Sequence, residues 1–274
     1  MLMAARVRVP CCVRPLLLQS DALTALRVPH AFSTRLGGYS VGPFASLNFG
    51  NPGDLERERR DPPSNIAANT RLVLDAIGAP GREVVQVHQV HGERVRVVRR
   101  GGPTHEPEWN GNDTKADALV TDDPARILAI RTADCTPVLL STRDGGIVGA
   151  AHAGWRGVVA GIATHTVRAM RDLVGDPETE IIAAIGPCIG FGAFEVGAEV
   201  AAEFRRVFGD TTSHVLARAD HPGKFRVDLK GALCEQLSRA GVPIVDVLPH
   251  CTVAATDSAS GMPLFFSHRR DRGL

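Results

Sequence analysis

No stretch of this sequence approaches the roughly 20 consecutive apolar residues that a membrane-spanning helix needs, so a soluble protein with no membrane partner is expected. Strong charge of either sign is missing too. The balance of 31 Lys and Arg against 30 Asp and Glu leaves a formal net charge of +1, which argues against broad electrostatic capture of nucleic acid or of an anionic membrane. There is no Cys-x-x-Cys pair and no dense cysteine framework: Cys11, Cys12, Cys135, Cys188, Cys234 and Cys251 are widely scattered. In a chain of 274 residues that pattern points to a reducing, cytoplasmic setting rather than a disulfide scaffold. Internal repeats and low-complexity segments are absent. The apolar run Leu16-Leu17-Leu18 is too short for a signal-peptide core, although Arg6, Arg8 and Arg14 with few acids share the composition of a transit peptide.

What is present is ordinary globular composition, 44% hydrophobic and 22% charged. Residues 1–27, broken by Pro10 and Pro15, show no clean period and read as a poorly defined segment ahead of 28–274, a length that suits one large domain or two small ones. A strand expected over Val28–Thr34 runs into Ser33-Thr34-Arg35-Leu36-Gly37-Gly38-Tyr39-Ser40. This Gly-rich loop exposes backbone N–H groups beside a guanidinium, suiting either an anion cradle or a tight turn with a solvated Arg. Asn48 offers a polar contact in the next turn. A helix is expected from Pro62 to a stop at Gly78, then strands over Val84–Val90 and Val95–Val98 that form a hairpin with His91 near its bend. After a polar loop over 100–115 come apolar runs at 117–121, 127–130, 137–140 and 147–151, buried on both faces. One long helix is expected from Gly154-Trp155-Arg156-Gly157 to Val174, its first-turn N–H groups and Arg156 making a natural phosphate site. Strands at 181–185 and 242–248 and helices at 194–208 and 228–240 follow. Strands and helices mixed without strict alternation point to α+β, or to α/β with mixed sheets.

The chemistry gathers around Thr132-Ala133-Asp134-Cys135 and Ala151-His152. Two apolar runs joined by Asp144-Gly145-Gly146 form a hairpin that brings Cys135 and His152 together, and a thiolate beside an imidazole suits a metal or a nucleophile. With His91 added, two imidazoles and one thiolate would bind Zn²⁺ tetrahedrally and leave a fourth position open. The plainer alternatives are a buried inert thiol and satisfied turn histidines. Asp134 is placed to orient a histidine, to move a proton or to make a structural hydrogen bond. Multicopper chemistry needs clustered histidines, and ten histidines without a His-x-His pair fit it poorly.

Several motifs together resemble the YfiH family, whose members were long labelled polyphenol oxidases or laccase-domain proteins. They are Ser33-Thr34-Arg35-Leu36-Gly37-Gly38, Ser46-Leu47-Asn48, Gln89-Val90-His91-Gly92, Ala116-Asp117-Ala118-Leu119-Val120-Thr121, Thr132-Ala133-Asp134-Cys135 and Ala151-His152-Ala153-Gly154-Trp155-Arg156-Gly157, followed by Gly186-Pro187-Cys188-Ile189-Gly190, Phe194-Glu195-Val196-Gly197 and Phe265-Phe266-Ser267. The resemblance implies a single-domain layered α/β sandwich with mixed β-sheets. It implies a zinc-dependent purine nucleoside phosphorylase that converts adenosine, inosine, guanosine or methylthioadenosine with phosphate to base and ribose-1-phosphate, with adenosine deaminase activity besides. On the same footing, His91, Cys135 and His152 would hold the catalytic zinc, and Arg35, then Asn48 and Arg156, would meet phosphate or substrate. A Cys135–His152 hydrolase, a copper-dependent polyphenol oxidase and a non-catalytic zinc-containing binding protein are the competing functions. The pattern is departed from at His268, where an aromatic such as Tyr is more usual, and after Arg269-Arg270-Asp271, where a Gly-Arg pair and a last apolar strand are expected in the family.

Overall fold

Four apolar runs, Ala118–Thr121, Thr136–Thr142, Val148–Ala153 and Ile181–Ile185, are buried along nearly their whole length, and in a computed structural model of the chain they lie side by side in one sheet. The structure describes residues 14–51, 55–103 and 115–272. Its elements in chain order are β1 (Leu17–Leu18), α1 (Asp21–Ala25), β2 (Phe32–Ser33), α2 (Pro63–Ala76), β3 (Glu83–Val85), β4 (Val95–Val98), β5 (Ala118–Thr121), β6 (Arg126–Leu128), β7 (Thr136–Thr142) and β8 (Val148–Ala153). Then come α3 (Trp155–Ala160), α4 (Ile162–Val174), β9 (Ile181–Ile185), β10 (Glu195–Val196), α5 (Ala198–Phe208), β11 (Val215–Ala217), β12 (Phe225–Val227), α6 (Leu229–Arg239), β13 (Ile244–Val247) and α7 (His268–Asp271).

The main sheet has the order β13-β9-β7-β8-β5-β4. Its outer pairs, β13 with β9 and β5 with β4, are parallel, while the three inner pairings are antiparallel. Side chains alternate between its two faces. Val138, Leu140, Ala151, Ala183 and Ile185 meet Ile162, Val167 and Met170 of α4 and Leu233 and Leu237 of α6. On the other face Ile182 and Ala184 meet Leu23 of α1 and Phe32 of β2, while Leu119 joins Val85 of β3. The architecture is thus a mixed α/β layered domain. Close seating of α4 depends on Gly149, where a Cβ would stand 3.1 Å from Met170 Sδ and 3.2 Å from Thr166 Cγ2.

Several local expectations are corrected. The single helix after Trp155 is two, because Gly161 adopts φ +85° and ends α3 before α4 begins. The hairpin expected around His91 does not form: β3 pairs in parallel with β6 in a separate two-stranded sheet, and β4 joins the main sheet beside β5. Strand at 28–34 is confined to Phe32–Ser33, and the helix expected from 194 begins at Ala198, after β10. Residues 17–25, without a visible period, form β1 and α1, which are two and five residues long and too short to show one. Ser20 holds α1 in place, accepting the N–H of Leu23 and donating to Asp246 of β13 at 2.6 Å.

Cys11, Cys12, Asp54, His105 and the middle of the polar loop, 104–114, lie outside the described residues. Cys135, Cys188, Cys234 and Cys251 are free thiols. Among the described residues, no helix is long and apolar enough to cross a membrane.

Candidate metal centre

β7 and β8 pair with Thr136 opposite Ala153 and Pro137 opposite His152. Cys135, one residue ahead of β7, therefore arrives beside His152 at the open end of the hairpin. The closed end is shaped by Gly145 at φ +72° and by Asp144, whose carboxylate accepts the Thr142 hydroxyl at 2.6 Å and the Gly146 N–H at 3.0 Å. His91 comes from the connection between β3 and β4. The donor atoms of His91, Cys135 and His152 all lie within 4.8 Å of one another, and the two imidazoles meet edge to face with centroids 4.8 Å apart. The three residues expected from the sequence are thus brought together by the fold.

Gly154 makes room for this convergence. A Cβ there would stand 2.9 Å from His91 Cδ2 and 3.0 Å from Cys135 Sγ. Asp117, at the entrance to β5 and fully buried, accepts hydrogen bonds from the N–H groups of Val90, His91 and Gly92 at 3.2, 2.9 and 2.7 Å. The same carboxylate takes His152 Nδ1 at 2.8 Å. A carboxylate can only accept here, so Nδ1 carries the proton and Nε2 keeps a lone pair.

The electrostatics suit a cation rather than a free nucleophile. Burial raises the Asp117 carboxyl, but the hydrogen bonds from His152 and the three backbone N–H groups outweigh it and hold the group below its ordinary range. Burial lowers the His91 imidazole, helped by His152 and Arg156 and opposed by Asp117. Burial, together with Asp134, Cys188 and Asp117, pushes the Cys135 thiol up to about 12. A nucleophilic cysteine needs a lowered pKa beside an imidazolium or another positive group. Burial and the neighbouring acids work against that here, and a cation at the donors would favour the thiolate. The observations fit a metal: a buried thiol, one imidazole with a set tautomer, a second held neutral, and space that a single methyl would fill.

The remaining candidates are distributed differently. Arg35 donates from Nε to the Ala45 carbonyl at 2.9 Å, and its guanidinium lies over the Phe266 ring at 4.4 Å. Asn48 is buried, donates to Asp61 at 2.9 Å and accepts the Gly50 N–H at 3.3 Å, so much of its amide is engaged within the protein. Arg156 is exposed, lies over Trp155 at 4.4 Å and is close enough to His91 to affect its charge. It is the second residue of α3, which is only six residues long. Asp134 orients no histidine: it accepts the Thr252 hydroxyl at 2.6 Å and the Arg269 N–H at 2.7 Å. His88 stands apart from the trio, bridged to Lys115.

Arg35, Asn48 and Phe266 line a cavity of about 870 Å³ over the α1 side of the sheet, floored by Leu139 and Ala150. It reaches Gln89 and Ala133, close in sequence to His91 and Cys135, while His91, Cys135 and His152 themselves do not line it. The residues that sequence reasoning left without a role are Asp117, Gly154, Thr252 and Arg269. For Asp117 a signal existed, an acid directly ahead of the apolar run Ala118-Leu119-Val120.

The chain as a whole is similar to known proteins. Positions 29–274 match the family model described as multi-copper polyphenol oxidoreductase laccase. A Deinococcus radiodurans protein named purine nucleoside phosphorylase is 41% identical over 248 residues, covering 90% of this chain and 86% of that protein. The Escherichia coli purine nucleoside phosphorylase YfiH is 35% identical over 240 residues, 88% of this chain and 87% of YfiH. Among solved structures, YlmD of Geobacillus stearothermophilus superposes with a TM-score of 0.74 at 34% identity, covering 89% of this chain and 86% of that one. A Neisseria meningitidis protein does so with 0.73 at 32% identity and 94% of each chain.

Proposed function

The chain belongs to the multi-copper polyphenol oxidoreductase laccase family, the family of YfiH, and from that premise we propose that it is a purine nucleoside phosphorylase with a zinc ion held by His91, Cys135 and His152. The observation that carries the proposal is the convergence of those three donors within 4.8 Å, in a chain so similar to proteins named for this activity. Three protein ligands with two imidazoles and a thiolate are a zinc set with an open coordination position.

The reaction proposed is attack of phosphate on the anomeric carbon of a purine nucleoside as the N-glycosidic bond loosens, giving the free base and ribose-1-phosphate. Zinc bound at the trio supplies a Lewis acid for polarising an oxygen. Arg35 and Arg156 supply the positive charge that holds phosphate, Arg35 from the cavity wall and Arg156 from beside His91. Asn48, tied to Asp61, shapes the wall and retains amide capacity for a substrate hydroxyl. Departure of the base is eased when its ring nitrogen gains a proton or a hydrogen bond. Adenosine deamination at the same centre, and turnover of inosine, guanosine and methylthioadenosine, belong to the proposal. The scattered free thiols support a cytoplasmic enzyme.

A copper-dependent phenol oxidase is the second reading, favoured by the donor set alone, since two His and one Cys also serve copper. The deciding experiment is product analysis of adenosine with and without phosphate, using wild type and Cys135→Ala, with metal content measured in each preparation. Phosphate-dependent ribose-1-phosphate that is lost in the variant supports the proposal. Free ribose regardless of phosphate overturns it in favour of hydrolysis, phenol oxidation tracking copper favours the second reading, and bound zinc without turnover favours a non-catalytic role.

A further inference from the structure

We infer that Asp117 is a positioning residue that sets both histidines of the metal centre through one carboxylate. This rests on the metal reading above and deepens it. An ionised carboxylate offers about four lone-pair sites. At Asp117 four donors are engaged, all from the two segments that carry His91 and His152.

Oδ1 is shared by the two ligand residues themselves, taking the backbone N–H of His91 at 2.9 Å and the ring Nδ1 of His152 at 2.8 Å. Oδ2 takes the N–H groups on either side, Val90 at 3.2 Å and Gly92 at 2.7 Å. Three successive N–H groups converging on one anion form a nest, a geometry that a backbone adopts when an anion sits in it. His91 at its centre has φ +61°, a conformation that a residue with a Cβ seldom adopts. The carboxylate thus supplies a reason for the backbone to hold His91 in that conformation.

The ring contact does separate work. Nδ1–H directed at Asp117 leaves Nε2 as the ligand atom of His152 and fixes the plane of the ring. The connection extends to the backbone, where the His152 N–H donates to the Asp117 carbonyl at 2.7 Å. The side chain is fully buried, and the side chain that donates to it is His152. A structural anchor for the loop would need only the three N–H contacts. Sharing Oδ1 with the second imidazole couples two ligands that lie 61 positions apart in sequence.

The test compares zinc affinity of wild type and Asp117→Asn by competition with a chromophoric chelator, alongside melting of both metal-free proteins. Asn is similar in shape but must present its NH₂ either to the Val90 and Gly92 donors or to the His91 and His152 donors. The expected result is a rise in the zinc Kd of about 10- to 100-fold, with a changed thiolate-to-metal absorption when Co²⁺ replaces zinc. Zinc Kd values within about twofold of each other, even with a lowered melting temperature, overturn the inference and leave Asp117 a structural anchor. A second measurement avoids the variant: ¹⁵N NMR of the metal-free wild type should show His152 as the Nδ1–H tautomer, and the Nε2–H tautomer overturns the inference. Wild type that binds no zinc removes the metal reading itself and the inference with it. Equal binding by wild type and variant removes only the role of Asp117.

Discussion

Asp134 accepts the backbone N–H of Arg269 at 2.7 Å, so the segment around Arg269 is tied to the residue directly before Cys135. The other oxygen of the same carboxylate takes the Thr252 hydroxyl at 2.6 Å, and Asp134 itself sits at φ +89°. Two segments distant in sequence therefore brace an unfavourable backbone conformation next to the metal centre. Thr252→Val removes one of these bonds from a buried carboxylate and should lower unfolding free energy by about 1.5–3 kcal/mol. Urea denaturation of the metal-free protein checks this, and a change below about 0.5 kcal/mol would contradict the brace.

Gly154→Ala tests the room left for the ion. The backbone of Gly154, φ −71° and ψ 169°, is open to any residue, so the substitution strains only the contacts to His91 and Cys135. Zinc affinity should fall by about tenfold or more while melting of the metal-free protein changes little, since the added methyl crowds the ligands rather than the core. Unchanged affinity by chelator competition would show that the ligands occupy the space differently once metal is bound.

Chelation should abolish phosphorolysis, and stoichiometric zinc should restore it. His91→Ala and His152→Ala should each leave purified protein with less than one equivalent of zinc, because each leaves only a Cys–His pair of the three donors. Elemental analysis of the purified variants provides the measurement. A variant retaining both one zinc per chain and full turnover would remove its residue from the site.

Met170→Ala probes the packing that places β8. Met170 is fully buried against Gly149 and the α4 side of the sheet, so the truncation should cost about 2–5 kcal/mol. Turnover measured well below the melting transition should persist. Loss of zinc affinity without loss of stability is the result that would contradict this division between core and site.

Acid stability should depend on Asp271. Burial raises its carboxyl, yet the hydrogen bonds from Arg270 and the Ser267 N–H outweigh this, and the group sits below its ordinary range. A carboxyl lowered in the folded state contributes stability that is fully present above its unfolded pKa of about 3.9 and is lost as pH falls through the folded value. Asp271→Asn should therefore be less stable than wild type at neutral pH, with the difference shrinking below about pH 4. Denaturant midpoints across that range report it, and a pH-independent difference would assign the effect to lost hydrogen bonds alone.

The sequence by itself determined the hairpin of β7 and β8, because two apolar runs on either side of the turn residues Asp144-Gly145-Gly146 are a local signal, and it placed Cys135 and His152 at the open end. It also located α2 and α6, whose apolar residues repeat at helical spacing, and β9, a continuous apolar run. From residues alone the choice between metal and nucleophile stayed open, since burial and charge around a thiol are properties of neighbours that sequence spacing does not reveal. Only the tertiary structure decided that β3 and β4 part into different sheets, because parallel pairing with β6 and β5 joins residues far apart and leaves no turn signature. The break at Gly161 was visible as a glycine but not as φ +85°, which depends on how α3 and α4 pack. The same holds at the site. His91, Cys135 and His152 could be named in advance, but the Asp117 carboxylate that joins two of them and the space above Gly154 exist only once strands from three parts of the chain are side by side.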